Sequence, residues 1–425
     1  MRRSTLVFIV LLLLALSGCT VGSNITLSSI TVSPSNPTIT NRSSTQLTAT
    51  GTYSDGSTID LSSSVTWTSE DESVVTVDSN GLATGVSAGT CVITATIKSL
   101  SGSTTLTIEH LLNVYVAGYY NNGINDVAAI WKDGVKTDLP STAGQNAMAS
   151  SVFVSDSNVY VAGYYNNGID EVATVWKDGV KTDLESGGVR ARATAVFVNN
   201  DIVYVAGYYF SEGTPRAAIW EDGVRTNLMP LAESIATSVF VNGGSVYVSG
   251  SYVAGLSIAT VWKDGVNTDL PIPVGGQDSS TNSIYINNDN IYVAGLYWLG
   301  GAEYAPLLWT NGAETVLPST PGIFANANSV FVSDGIVYTA GHDNDGVNFL
   351  ATVWTDGVST YLPAIAGQDA KAYSIYVSNN SVYVAGYHSD GISNIATIWK
   401  DGVMTTLPST PGQNAEANSI YVVYD

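Results

Sequence analysis

Tyrosines recur at one kind of place in this chain, one or two residues after a glycine: Tyr119-Tyr120, Tyr164-Tyr165, Tyr208-Tyr209, Tyr252, Tyr297-Trp298 and Tyr387. Amides recur downstream at Gln145-Asn146, Gln277-Asp278, Gln368-Asp369 and Gln413-Asn414. An aromatic face stacks and an amide both donates and accepts, so the combination suits sugars or protein surfaces. On that ground the candidate ligand contacts are Tyr120, Tyr165, Tyr209, Tyr252, Tyr297, Trp298 and Tyr304. The structural alternative is that one tyrosine of each pair packs between layers, since paired aromatics fill β cores.

Catalysis has weaker support. Asp126, Asp170, Glu171, Glu303 and Asp390 follow the aromatic positions, and a glycosidase needs two such acids fixed about 5 to 10 Å apart. Repeated acids in short loops of even length read as solvated turns, so no catalytic residue is assigned. Asp343-Asn344-Asp345-Gly346 has the start of a calcium loop but lacks its third ligand and distal Glu, and it reads as a turn. His342 and His388 could hold a metal with Asp343; two loop histidines read more simply as exposed variants. Walker, zinc-spacing and GxSxG motifs are missing. No cofactor and no metal are expected.

These residues sit in a repeated phrase. Its Trp recurs at Trp131, Trp176, Trp220, Trp262, Trp309, Trp354 and Trp399, with spacings of 45, 44, 42, 47, 45 and 45 residues. Such a period marks one supersecondary unit stacked on its copies. Each copy reads as four short strands, as in SVFV (a), VYVAGYY (b), ATVW (c) and VKTDL (d) of residues 151–184. Asp-Gly or Asn-Gly separates c from d throughout, which predicts a type I′ hairpin turn. Four antiparallel strands per ~45 residues, repeated radially, describe a β-propeller, here with seven blades. The first copy lacks strand a, and residues 419–422 supply a strand a with nothing after it. The C-terminal strand is therefore expected to complete the first blade and remove both edges. The b–c and d–a loops then share one face, called the top. Lys132, Lys136, Lys177, Lys181, Arg225, Lys263 and Lys400 belong to c–d hairpins of the opposite face. The Trp series is expected to pack between blades. Trp298 stands outside it: either a partner covers it or its loop folds back over it.

Residues 27–109 differ in texture. Alternating apolar words such as Val65-Thr66-Trp67 and Val92-Ile93-Thr94-Ala95, with regular turns, argue a β-sandwich. With Trp67, the run Asp78-Ser79-Asn80-Gly81-Leu82-Ala83-Thr84-Gly85-Val86, followed by Ala88-Gly89-Thr90, resembles the bacterial group 2 immunoglobulin-like domain. That resemblance implies a spacer or adhesive module without catalytic residues. Cys91 is expected to pack in its core.

Arg2 and Arg3, the apolar run from Leu6 to Leu16, and Leu16-Ser17-Gly18-Cys19 are ordered as in a secretory signal. The last four residues resemble the bacterial lipobox. The resemblance implies cleavage before Cys19, lipidation of Cys19 and, with Thr20 next, onward sorting to an outer membrane. The other reading is an ordinary signal peptide with an incidental cysteine, or an uncleaved anchor. The expected order is a lipoprotein signal peptide (1–18), a lipidated linker (19–26), the Ig-like sandwich (27–109) and the propeller (110–425).

The net charge of −21 repels DNA, RNA and anionic lipid, so nucleic acid is not an expected partner. A hydrophobic content of 45% excludes general disorder. The fold class expected is all-β. The function expected is that of a lipid-anchored, exported cell-envelope binding protein, not an enzyme, with a glycan or an envelope or host protein as ligand. The alternatives are an extracellular polysaccharide lyase or glycoside hydrolase, and a non-catalytic scaffold for an envelope complex.

Overall fold

A computed structural model describes residues 24–301 and 303–424. Among them there are strands and turns and no helix. Two compact units meet at the Leu111/Leu112 boundary.

The first unit is built of three small sheets. Leu27–Ser33 pairs with Thr48–Tyr53, and that strand with Thr58–Asp60. Gly89–Ile97 lies between Leu100–Glu109 and Thr66–Ser69, and Thr38–Thr40 joins the far side of Leu100–Glu109 in parallel. Ser44–Gln46, Leu82–Gly85 and Val75–Val77 form the third. The alternating apolar residues face inward: Leu47, Val75, Ala83, Ile93, Ala95 and Leu106 are fully buried beside Trp67. Cys91 is buried in this core, its Sγ 3.2 Å from Ser69 Oγ.

In the second unit the described residues form seven four-stranded antiparallel sheets. The second sheet is typical: Ala147–Ser155 (a), Asn158–Asn166 (b), Glu171–Lys177 (c) and Val180–Asp183 (d), in that order. In the first, Leu112–Asn121 (b) pairs with Asp126–Lys132 (c) on one side and with Ala415–Tyr424 (a) on the other. The two ends of the repeat region thus share one blade, as expected. Each innermost strand a lies against the next, and Ala415–Tyr424 touches both Ala370–Ser378 and Ala147–Ser155, which closes the cycle. The sheets are the blades of a β-propeller.

Three devices repeat from blade to blade. The c–d turn has positive φ at both residues, as at Asp133 (50°) and Gly134 (79°), the type I′ geometry. Its acid also has a second task. Asp178 Oδ1 accepts the Val159 N–H of strand b at 2.8 Å, and Asp133, Asp222, Asp264, Asn311, Asp356 and Asp401 do the same in their blades. The seven Trp side chains of the series are fully buried. Six donate their indole N–H across to the preceding blade, to the carbonyls of Pro408, Pro140, Glu185, Pro271, Pro318 and Pro363. The seventh, Trp262, finds no acceptor; the matching carbonyl, of Met229, takes the Ser234 hydroxyl instead.

The third device is an aromatic belt around the axis. Phe153, Phe197, Phe240, Tyr285, Phe331, Tyr376 and Tyr421 each come from the middle of a strand a. Consecutive ring centroids are 4.6 to 5.2 Å apart, and Tyr421 returns to Phe153 at 4.9 Å. Their planes fan by 39° to 67° from one ring to the next, which leaves no room for a side chain between neighbours.

Candidate functional site

Most of the predicted tyrosines are not available to a ligand. Tyr120, Tyr165, Tyr209 and Tyr297 are buried. Each lies on the Trp side of its strand b, where it packs between blades. The outer faces of three of them and the hydroxyls of two are taken as well. Lys136, Lys181 and Arg225 on the d strands lie over Tyr120, Tyr165 and Tyr209, at 3.2, 3.4 and 3.9 Å from the ring centroids. The Tyr120 and Tyr165 hydroxyls donate to Asp138 and Asp183. The expectation that these four meet a ligand is corrected: all four are buried between blades, and at Tyr120 and Tyr165 a cation also covers the outer face while an acid holds the hydroxyl. Tyr252 is half-buried, its hydroxyl bound to Asp269 at 3.0 Å.

Two other expectations change. His342 and His388 are not exposed loop variants; they are 3% and 2% exposed. His342 occupies the first position of the tyrosine pair and His388 the second, where blades are in contact. Burial pulls the His342 imidazole down to about 3, and the Lys371 ammonium adds to this. Burial also lowers His388, whose Nδ1 is 2.8 Å from Thr397 Oγ1. Both rings are therefore uncharged at neutral pH. Asp343 is buried and accepts from Thr320 N, Thr320 Oγ1 and Tyr361 OH, so its lone pairs are spent on the fold. Among the described residues no group of three or more His, Cys, Asp or Glu is placed to hold a metal.

Glu171 is a structural acid. It accepts from Arg190 Nε and Arg192 Nε, both at 2.6 Å. Burial raises its carboxyl, but the hydrogen bonds from Arg192 and Arg190 outweigh this and hold it below its ordinary value. Asp390 serves the turn reading, its Oδ1 accepting from Ile392 and Ser393 N–H. Glu303 accepts from Gly322 N–H at 3.0 Å.

Trp298 and Tyr304 do come together. The b–c hairpin of the fifth blade pairs them directly, and their rings stack with centroids 6.4 Å apart. Both are half-buried. The Trp298 indole donates to Gly301 O within its own loop at 3.1 Å, so the loop folds back without enclosing the ring. Tyr304 also forms a parallel bridge to Phe324 in the following d–a loop, the rings 5.1 Å apart. Phe324 stacks on His342 at 5.5 Å and meets Phe349 edge-on at 6.2 Å. The Lys371 ammonium lies 3.7 Å from the Phe349 centroid. Burial lowers the Lys371 pKa, and Glu416 and Asp369 oppose the shift. One band of aromatic groups therefore runs from the fifth blade to the seventh and ends at an ammonium. Phe324 and Phe349 lie outside the tyrosine positions, and the sequence reading missed them. The one available signal was an aromatic residue at positions where, Tyr304 apart, the other repeats carry none.

A band of this kind can stack a planar or ring-shaped ligand and donate one charged hydrogen bond. Its polar neighbours already have partners: Glu303 holds Gly322, and Asp369 Oδ1 accepts the Phe349 N–H.

Known proteins resemble parts of this chain. Ice-binding protein 1 of Shewanella frigidimarina (strain NCIMB 400) is 45% identical over 125 residues, 28% of this chain and 14% of that protein. The chain thus matches a small part of this relative. Among solved structures, the β-propeller domain of the Trilobed protease from Pyrococcus furiosus aligns with a TM-score of 0.42 at 9% identity, covering 77% of this chain and 94% of that one. The periplasmic gluconolactonase of Pseudomonas aeruginosa aligns with a TM-score of 0.42 at 12% identity, covering 74% and 99%. Residues 27–108 match the family model of the bacterial Ig-like domain, group 2, and that module is what the first unit contains.

Proposed function

We propose that this chain is an exported, lipid-anchored binding protein of the bacterial cell envelope, with the Ig-like module as a spacer and the propeller as the binding unit. The ligand seat is the top-face band of Trp298, Tyr304, Phe324 and Phe349. The carrying observation is the stacked pair Trp298–Tyr304, continued through Phe324 by a backbone bridge. A glycan suits it best, because sugar rings stack on aromatic faces while the Lys371 ammonium at the end of the band can donate to a hydroxyl. Ice belongs in the same screen, since the Shewanella relative carries that ligand in its name. Anchoring rests on the Cys19 lipobox, which lies outside the described residues. Cys19→Ser is expected to release the protein or leave it unprocessed. If the variant still partitions into detergent like the parent, an uncleaved anchor replaces this part of the reading.

The test of the seat is a glycan array with the full chain, followed by titration of any hit. Trp298→Ala is expected to weaken binding by about 1–3 kcal/mol without moving the melting temperature, the size of an aromatic anchor. Unchanged affinity in the double variant Trp298→Ala, Tyr304→Ala would remove the band from the reading.

A scaffold role has one observation of its own. Ile124, Ile169, Val347 and Ile392 stand 83% to 87% exposed at the same b–c loop position of four consecutive blades. Each tip is held by an Asx turn, as where Asn122 Oδ1 accepts from Ile124 and Asn125 N–H. Rigid apolar tips in a row suit a protein partner. Capture of one envelope protein that is lost when the four tips become Asn, with no glycan bound, favours the scaffold.

A further inference from the structure

We infer that the propeller carries a second small-molecule site, on the face opposite the aromatic band, shaped for a neutral sugar residue. Six blades pass from strand a to strand b through a tight turn such as Asp156-Ser157. The first blade has none, because its two inner strands come from opposite ends of the repeat region. There strand a runs straight on, and Tyr424 pairs with Leu112 where its neighbours turn. A cleft of about 420 Å³ opens beside this break, lined by Asp334, Tyr376, Asn379, Asn380, Tyr421 and Tyr424. Its size falls within the roughly 300–1,000 Å³ of small-molecule sites.

The lining narrows the ligand by elimination. Among the described residues it contains no Lys, Arg or His, so no cation there neutralises an anion. It is not an apolar slot, because hydroxyl, amide and carboxylate groups line it and exposed phenol meets amide where Tyr424 OH bonds Asn379 Oδ1 at 2.6 Å. A buried organic cation would need a cage of several aromatic faces, and here Tyr424 alone could offer one. Those of Tyr376 and Tyr421 are turned to each other and to Phe331 and Phe153 in the belt, at 4.7 to 4.9 Å. What remains is a compact, uncharged, hydroxyl-rich ring. Asp334 and the Asn379 and Asn380 amides can accept from and donate to its hydroxyls while the tyrosine edges border it.

The experiment uses the full chain with glucose, galactose, mannose and N-acetylglucosamine, read by saturation-transfer NMR and by titration. At least one is expected to bind, and Asp334→Ala with Asn380→Ala to weaken it roughly tenfold or more. Tyr424→Phe, which deletes one exposed hydroxyl, serves where the double variant fails to fold and is expected to weaken binding several-fold. A β-linked disaccharide separates the sources: equal or tighter binding points to a glycan end, and exclusion points to the free sugar. Trp298→Ala is expected to leave this binding unchanged, so the site stands or falls apart from the top-face reading. Absence of transfer for all four sugars overturns the inference, as does binding that the Asp334, Asn380 and Tyr424 variants leave intact.

Discussion

Deletion of residues 419–425 is expected to abolish cooperative melting of the propeller. The deleted strand end carries the pairs Ser419↔Ala117, Ile420↔Val116, Tyr421↔Tyr115 and Val422↔Val114, so strand b of the first blade would present a bare edge toward the axis. Ile420 and Val422 leave the core between the seventh and first blades, each worth about 1.5–3 kcal/mol of burial. Tyr421 leaves a gap in the aromatic belt between Tyr376 and Phe153, and loss of a packed aromatic costs about 3–5 kcal/mol. The Ser419 hydroxyl leaves too, and with it the acceptor of the Val152 N–H. Together these approach the roughly 5–15 kcal/mol that holds an ordinary domain folded. Calorimetry of the parent and truncated chains decides it, with Tyr421→Ala as the milder control. An unchanged melting midpoint in the truncated chain would mean that ring closure contributes nothing.

The chain announces its architecture through spacing, and its surface through far less. Four strands per repeat, the Asp-Gly turns and the sharing of the first blade between chain ends were all legible, because period, turn chemistry and an unmatched half-repeat are local properties. The fate of each tyrosine was not. Tyr120 looks free in sequence, and it is covered because Lys136, sixteen residues on, folds back across it. The lysines at the ends of the c strands behave alike, lying 5.1 to 5.3 Å over Tyr115, Tyr160, Tyr247 and Tyr383. The turn aspartates explain themselves only in three dimensions, where each also holds an N–H of strand b. His342 and His388 read as loop residues because strand b outlasts its apolar run, reaching Asn344 and Ser389. Within the candidate seat, Trp298 and Tyr304 were legible as the departure from the repeat. Phe324 was not, because it joins them through a bridge between different blades.

Replacing any strand-b glycine by alanine is expected to cost more than replacing a turn glycine, although strand-b φ angles are ordinary. All seven strand a segments carry a bulge: in the second blade the register skips from Ala149 to Ser151, and the others skip at the matching place. A bulge bends its strand and redirects the neighbouring groups. Here it frees side chains of the extra residues to cross to the next blade: Thr194 bonds Ala236 O, Asn282 Ala327 O, Asn328 Ala372 O and Asn418 Ala149 O. The bend also drives a carbonyl of strand a toward strand b. A Cβ on Gly163 would lie 2.0 Å from Met148 O. At Gly118, Gly207, Gly250, Gly295, Gly341 and Gly386 the nearest carbonyl is 2.0 to 2.2 Å away. Each obstacle is backbone and cannot swing aside, so alanine must push the innermost strand off the sheet and strain the clasps between blades. Gly163→Ala is expected to destabilise the propeller by at least about 3 kcal/mol, the upper range for overpacking. Gly179→Ala is the control. That turn glycine has a φ of 77° with open space around it, so its alanine meets only the left-handed backbone penalty of about 1–2 kcal/mol. Denaturant titration of the two variants separates the terms. If Gly163→Ala proves no more costly than Gly179→Ala, the bulge yields to a methyl group, and the repeated glycine has some reason other than this close approach.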